Sequence, residues 1–162
     1  MRILGVDPGL RATGFGLVEV GKAGALKIID AGSIEPNTKA LFEARIAKVH
    51  ELLSEIVSTH KPDVLVLEKL YAHVKHPTTA SILGHVRGVI CLVAHQNKIE
   101  LVEQPVKRIR MALVGNGNAT KEQVQMFIKR LLKIEKSKMS LDTSDALALA
   151  LGQAHMLKFK LM

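Results

Sequence analysis

The feature that most constrains the fold is a buried strand near the amino terminus that ends on a carboxylate. Arg2 to Val6 is a mostly apolar run typical of a buried strand, and Asp7 follows it directly. Pro8 and Gly9 then force a tight turn, so we expect Asp7 at the mouth of a sheet, where a metal ion or phosphate could approach. Asp-Pro-Gly is also a good turn sequence in itself, and this stretch alone leaves a purely structural role for Asp7 open.

The next elements predict a sheet that begins as an antiparallel meander. Strands are expected at Thr13–Val20 and Ala25–Ile34, joined by short loops. Glycines interrupt the first of these two strands, which indicates that something large must approach it closely. Ala40–His60 has apolar residues at helical spacing, and Val64–Leu67 is a continuous apolar run typical of a central strand covered on both faces. That strand ends on a second acid, Glu68.

The second half of the chain alternates helices with one further strand. We expect a helix introduced by Pro77, a strand at Glu100–Glu103, a basic helix over about Pro105–Val114, a helix opened by the capping-box spacing at Thr120, and a final helix from Ala146. The pattern predicts an α/β fold. Its sheet is mixed and five-stranded, a three-strand antiparallel meander followed by parallel strands, and helices flank it.

Composition limits the possible functions. The 162 residues are 48% hydrophobic, which suits a single domain spanning 1–162. A net charge of +8, from 23 Lys and Arg against 15 Asp and Glu, favours a polyanionic partner, above all nucleic acid. The basic residues are spread over several segments, which argues against membrane binding. The single cysteine, Cys91, suits a reducing cytosol, and we expect neither a signal peptide nor a membrane-spanning stretch.

Four acids lie where a metal site could form. Asp7 and Glu68 end two strands, and Asp142 and Asp145 stand three residues apart at the start of a helix. All four can converge if that helix crosses the sheet. Carboxylate oxygens are ligands for hard divalent cations, and two ions about 3.5–4 Å apart can assist phosphoryl displacement. The alternatives are helix capping by Asp142 and Asp145, at about 0.3–1 kcal/mol each, and a solvated Glu68.

Several motifs occur in order over nearly the whole chain. They are Gly5-Val-Asp-Pro-Gly9 with Thr13-Gly14, the strand Pro62 to Glu68, Gly84-His-Val-Arg-Gly88, Val114-Gly115 with Gly117 and Lys121, and Asp142-Thr-Ser-Asp-Ala-Leu-Ala148. With this ordered set the chain resembles the RuvC family of bacterial Holliday-junction resolvases. These are crossover junction endodeoxyribonucleases of the ribonuclease H-like superfamily.

The resemblance implies a function and a mechanism. By it, Asp7, Glu68, Asp142 and Asp145 are the catalytic acids and hold two Mg²⁺ ions per active site, with Mn²⁺ as a possible substitute. A cytoplasmic homodimer would bind a four-way DNA junction and nick two opposed strands symmetrically, in recombination and DNA repair. Hydrolysis would proceed without a covalent intermediate: one metal delivers the water and the other stabilises the departing 3′-oxygen. A branch-migration motor complex of the RuvA and RuvB type is the implied protein partner.

The resemblance also implies further site residues. Lys107 and Lys121 match basic positions near the scissile phosphate, although each could equally be solvated helix surface. Tyr71 matches an aromatic residue that stacks on unpaired bases, with a half-buried loop tyrosine as the alternative. Lys69, which stands where glutamine is expected, and Arg87 complete the predicted DNA contacts. The lysine could also alter the local charge and the affinity for metal.

Three other functions would share some of these features. A junction-binding protein of the same fold would keep the architecture without catalysis, but the four intact acids argue against it. A ribonuclease H acting on RNA–DNA hybrids would share the arrangement of the acids. An actin-like nucleotide-binding phosphotransferase also begins with a strand, an Asp and a glycine turn. It needs two such domains and a second phosphate loop, which 162 residues do not supply.

Overall fold

The computed structural model describes residues 1–69, 77–134 and 138–160, which form a five-stranded sheet flanked by helices. The strands are β1 (Arg2–Asp7), β2 (Thr13–Val20), β3 (Leu26–Ile34), β4 (Val64–Glu68) and β5 (Glu100–Gln104). The helices are α1 (Phe42–His60), α2 (Pro77–Gln96), α3 (Val106–Val114), α4 (Lys121–Leu131) and α5 (Leu141–Lys160), and a short 3₁₀ helix spans Lys22–Gly24.

The sheet has the predicted mixed topology. Its strand order is β3-β2-β1-β4-β5, with antiparallel pairing of β1 with β2 and of β2 with β3. The central strand β1 pairs in parallel with β4, and β4 with β5. Because Val6 lies opposite Leu67 in the β1–β4 register, the two residues that follow them, Asp7 and Glu68, emerge side by side at one edge.

Two apolar layers cover the two faces of the sheet. Successive side chains of a strand point to opposite faces, and in β1 the fully buried Ile3 and Leu4 belong to different layers. Ile3 packs with α3, α4 and α5, whereas Leu4 packs with α1 and α2. All four apolar residues of β4 are buried, as expected for a central strand covered on both faces.

Helix α5 lies against the backbone of β1 and β2. A methyl group on Gly5 would overlap the Ala146 carbonyl and stand 2.8 Å from the Ala150 nitrogen, and one on Gly14 would overlap the Asp142 carbonyl. One on Gly16 would meet the Leu147 side chain at 2.7 Å. The large group whose approach the strand glycines indicated is therefore α5 itself.

The start of α5 differs from the prediction. The helix begins at Leu141 rather than Ala146, because Ser140 caps it. The Thr143 N–H donates to Ser140 Oγ over 3.1 Å, and the two side-chain hydroxyls lie 2.8 Å apart. Asp142 and Asp145 consequently lie within the helix, and the capping role considered for them belongs to Ser140. The other predicted bounds differ from the observed ones by one or two residues at most.

Helix α2 departs from the expectation that no apolar stretch reaches membrane-spanning length. It has 20 residues and a mean hydropathy of 1.3 over its most apolar window, which is enough to cross a membrane by length and composition alone. A helix that packs one side into a protein core meets the same criterion. On α2, Val86, Ile90 and Val93 are fully buried in the layer shared with α1 and the sheet.

The α5 contact generates a prediction about stability. Gly5→Ala should lower the free energy of unfolding by about 1–3 kcal/mol, because the new methyl group forces α5 away from β1. Gly21→Ala, in the loop after β2, is the matched control: the only described atoms within 4 Å of the added methyl belong to Ala25, at 3.6 Å or more, and the stability should stay equal or rise by about 0.4–1 kcal/mol. Urea unfolding of both variants measures the difference. Equal stabilities would show that α5 is not held tightly against the sheet.

Candidate active site

A cavity of about 280 Å³ opens at the carboxyl ends of β1 and β4, between α3, α4 and α5. Its charged lining consists of Asp7, Glu68, Arg110, Lys121 and Asp145, and its apolar lining of Val106, Ile109, Val124, Ala148 and Leu149. Residues far apart in sequence meet here because parallel strands end at the same edge and α5 crosses above them. The structure thus brings together three of the four predicted acids and one of the two lysines predicted near the scissile phosphate.

The turn after β1 holds Asp7 in a defined position. The fully buried Thr13 donates its hydroxyl hydrogen to the Gly9 carbonyl over 2.7 Å and closes the turn. From α1, Arg45 Nη2 donates to the Leu10 carbonyl over 2.9 Å. Because hydrogen bonds hold the turn at Gly9 and Leu10, just after Asp7, they limit the movement of the main chain that carries its carboxylate.

Helix α5 supplies the other two acids. Asp145 lines the cavity and forms an ion pair with Lys121, whose side chain is 52% exposed. Asp142 does not line the cavity. Its backbone packs on Gly14, which pairs with Asp7 in the β1–β2 register, and the charge of Asp142 still acts on Asp7. The fourth predicted acid therefore lies beside the cavity.

Crowding of carboxylates alters their acidity. Burial raises the pKa of Asp7 to about 7, helped by the charges of Asp145, Glu68 and Asp142 and opposed by Lys121. Burial and Asp145 likewise raise the pKa of Glu68. Burial acts to lower the pKa of Lys121, but its hydrogen bond to Asp145 and the nearby acids raise it overall. The site therefore carries more negative charge than its own cations balance.

The donor set fits a hard divalent cation. Asp7, Glu68 and Asp145 offer only carboxylate oxygens, the ligands that Mg²⁺ and Mn²⁺ prefer. A bound cation would offset both causes of the raised pKa of Asp7, which are first its burial and then the repulsion from the neighbouring carboxylates. Within the described ranges, no three His, Cys, Asp or Glu side chains lie close enough together to hold a metal ion. In this arrangement the carboxylate of Asp145 is engaged in its ion pair with Lys121.

The two lysines predicted near the scissile phosphate, Lys107 and Lys121, lie in different surroundings. Lys121 lines the cavity, whereas Lys107 is exposed and is not among the described residues that line it. Arg110, three residues further along α3, lines the cavity instead, and its Nη1 donates to the Ala119 carbonyl over 2.8 Å. The sequence interpretation missed Arg110. The available signal was its position three residues after the predicted Lys107, because residues three apart lie on neighbouring positions of one helix face.

The remaining predicted DNA contacts are placed as follows. Tyr71 lies outside the described residues. Lys69 follows β4 with an exposed side chain, and its backbone N–H donates to the Gln104 carbonyl over 2.9 Å. Arg87 has only 11% of its side chain exposed, and its guanidinium binds the Glu68 carbonyl and the Glu103 carboxylate. Arg87 is thus engaged by acceptors within the protein, and its contact with DNA stays a prediction.

The sequence of the chain is similar to those of known proteins of one family. A family model described as "Crossover junction endodeoxyribonuclease RuvC" matches residues 3–153. A curated protein of that name from Chloroherpeton thalassium is 39% identical over 151 residues, which cover 93% of this chain and 80% of the relative.

Solved structures share the fold. The Thermus thermophilus RuvC structure superposes with a TM-score of 0.87 at 23% identity, covering 99% of this chain and 97% of the other. A structure described as T. thermophilus RuvC in complex with Holliday junction substrate gives a TM-score of 0.87 at 19% identity, covering 98% and 96%. At these identities the structural likeness establishes the architecture, and the family model and the curated relative establish the family.

The raised pKa of Asp7 predicts an unusual dependence of stability on pH. Between its ordinary pKa of 3.8 and about 7, the folded protein keeps a proton on Asp7 that the unfolded chain has released. Raising the pH through this window in EDTA should therefore lower the free energy of unfolding, by up to roughly 4 kcal/mol. Asp7→Asn should reduce this loss. Urea unfolding from pH 4 to 8 measures both, and equal pH dependence in the two proteins would contradict the prediction.

Proposed function

The chain belongs to the RuvC family of crossover junction endodeoxyribonucleases, and from this membership we propose that it resolves four-way (Holliday) DNA junctions by cutting opposed strands. The observation that carries the proposal is the cavity in which three carboxylates meet two basic side chains, Arg110 and Lys121, at the ends of parallel strands. A net charge of +8 supports a DNA substrate. The structural relative described with a Holliday junction substrate has the same fold.

Nucleases of this family depend on a metal, and here the ion is proposed to be Mg²⁺, two per active site, with Mn²⁺ as a substitute. Asp7, Glu68 and Asp145 would hold it, and Asp142 stands beside them. When bound, the metal supplies Lewis-acid activation of water and phosphate without proton chemistry by the protein. The chain's contribution is a set of carboxyl groups held in place: Asp7 is fixed by its turn and Asp145 by α5.

The basic residues act on the DNA. Lys121 and Arg110 place positive charge on the wall of the cavity, where they can orient the scissile phosphate and offset the charge that develops during cleavage. Arg110 is held by its bond to the Ala119 carbonyl, so its guanidinium is oriented before DNA arrives.

Cutting two opposed strands requires two sites, so we propose a homodimer whose two-fold axis matches that of the junction. We propose that the second copy contacts the exposed side of α2. Gly84, Gly88 and Leu92 recur there every four residues, and Leu92 is 48% exposed. A branch-migration motor of the RuvA and RuvB type and a cytoplasmic location belong to the same proposal, since the substrate is recombining DNA.

The test is cleavage of a labelled four-way junction with a mobile core, in Mg²⁺ and in EDTA. The wild-type protein should make paired nicks in opposed strands only with metal, and should sediment as a dimer. Asp7→Asn should cut at least about a thousand-fold more slowly, a loss of about 4 kcal/mol of transition-state stabilisation, and still bind the junction. Loss of binding together with cleavage would show that Asp7 is structural.

Three controls distinguish the alternatives. Linear duplex should remain intact, and preferential cleavage of an RNA–DNA hybrid would indicate a ribonuclease H instead. Tight junction binding without nicks would indicate recognition alone. Mg²⁺ should also raise the melting temperature of the wild-type protein more than that of Asp7→Asn, which reports on the metal site without activity.

The cavity lining predicts which basic residues matter for cleavage. Lys121→Ala and Arg110→Gln should each slow single-turnover cleavage by about 10²–10³-fold with little change in junction affinity, because each removes charge facing the scissile phosphate. Lys107→Ala, on the same helix as Arg110 but outside the cavity, is the matched control and should cut nearly normally. If Lys107→Ala were impaired as severely as Arg110→Gln, the assignment of these two residues would be reversed.

A further inference from the structure

Arg87 makes two contacts that the proposed chemistry does not use. This residue of α2 donates from Nη1 to the main-chain carbonyl of Glu68 over 2.6 Å, and from Nη2 to the carboxylate of Glu103. Its side chain is 11% exposed, whereas that of Glu103 is 43% exposed. A charge this deeply covered needs partners to offset its lost hydration, and the fork of a guanidinium suits two acceptors at once.

These contacts tie together the ends of two parallel strands. Glu103 lies on β5 opposite Leu67, the residue before Glu68, so the guanidinium reaches across from β4 to β5. On the far side of the same strand ends, the Gln104 amide donates to Gln153 of α5 over 2.9 Å. The end of β4 is therefore held from α2 by Arg87, while β5 is held from α5, the helix that carries Asp145.

Arg87 also borders the acids directly. A second cavity, of about 220 Å³, lies on the α2 side of the strand ends and is lined by Asp7, Pro8, Glu68, Leu83 and Arg87. The acids Asp7 and Glu68 thus form a wall between this cavity and the one lined by Lys121 and Arg110. The hydrogen bond from the Lys69 N–H to the Gln104 carbonyl ties the end of β4 to β5, and Arg87 adds a second support from the α2 side.

We propose that Arg87 and Glu103 form a positioning pair that fixes the main chain of Glu68 and so sets where its carboxylate lies relative to Asp7 and Asp145. The proposal rests on the proposed role of Glu68 as a metal ligand. Arg87 touches no reacting atom in this scheme and acts through Glu68. Removal of a residue that orients a ligand from behind weakens metal affinity about 10- to 100-fold.

The variant Arg87→Met keeps an unbranched apolar stem and removes both hydrogen bonds. We expect the Mg²⁺ concentration for half-maximal junction cleavage to rise about 10- to 100-fold, with cleavage largely recovered at saturating Mg²⁺ and junction affinity unchanged. The Mg²⁺ concentration that raises the melting temperature should shift in the same direction. Glu103→Gln keeps an acceptor without its charge and should produce a smaller shift of the same kind.

Arg2→Met is the matched control. Arg2 makes the same kind of bridge at the opposite end of the sheet, from Nη1 to the His60 carbonyl over 2.7 Å and from Nε to the Glu19 carboxylate over 3.2 Å. Its loss should lower the melting temperature in EDTA without changing the Mg²⁺ requirement. A general loss of stability and a loss of positioning at Glu68 are thereby distinguished.

Each other outcome overturns a defined part of the argument. An unchanged Mg²⁺ requirement in Arg87→Met, for both cleavage and melting, rejects the positioning pair. A lower junction affinity at an unchanged Mg²⁺ requirement would assign Arg87 to DNA contact instead. If the wild-type protein does not cut junctions, the proposed function fails, but its Mg²⁺-dependent melting compared with that of Arg87→Met still decides on the pair. A wild-type protein that Mg²⁺ neither activates nor stabilises would reject both proposals.

Discussion

The contact between α5 and the central strands is the constraint on which the rest of the structure depends. Gly5, Gly14 and Gly16 leave no side chain between the helix and the backbones of β1 and β2. This close approach brings Asp145 into the same cavity as Asp7, and Asp142 beside it. A larger residue at any of the three glycines would push the helix outwards by a side-chain layer, and carboxylates that now act on one another would separate.

The close approach of α5 to β1 and β2 has an unfavourable electrostatic effect. Several carboxylates share a partly buried cavity, and their mutual repulsion adds to the loss of hydration, which is why the pKa of Asp7 rises to about 7. Lys121 and Arg110 offset part of the negative charge from the side of α3 and α4. Functional sites commonly retain such unfavourable local interactions, and the folded core around them supplies the compensating stability. A bound cation, as proposed above, would relieve the same crowding.

The supports of the acids come from outside the cavity and from elements far apart in sequence. Thr13 and Arg45 hold the turn after Asp7, and Arg87 holds the end of β4. Each binds main-chain carbonyl groups, so the strand ends are fixed without using the carboxylates themselves. Those carboxylates remain available for a ligand in the cavity, which is the arrangement expected where geometry matters for catalysis.

The sequence by itself determined the order of the elements, the mixed sheet and the placing of Asp7 and Glu68 at strand ends, because apolar periodicity and turn residues act over a few positions along the chain. The spacing of Asp142 and Asp145 at the start of a helix added two further candidate acids, and the resemblance to one family, carried by ordered motifs, assigned all four a catalytic role. The sequence also contains the local cap, Ser140, at which α5 begins, but the expected start was placed at Ala146. Only the tertiary structure decided that Arg110 rather than Lys107 lines the cavity and that Arg87 faces inwards. Both features depend on which side of a helix meets the sheet and on hydrogen bonds between residues distant in sequence. Patterns of residues close together in the chain do not reveal either.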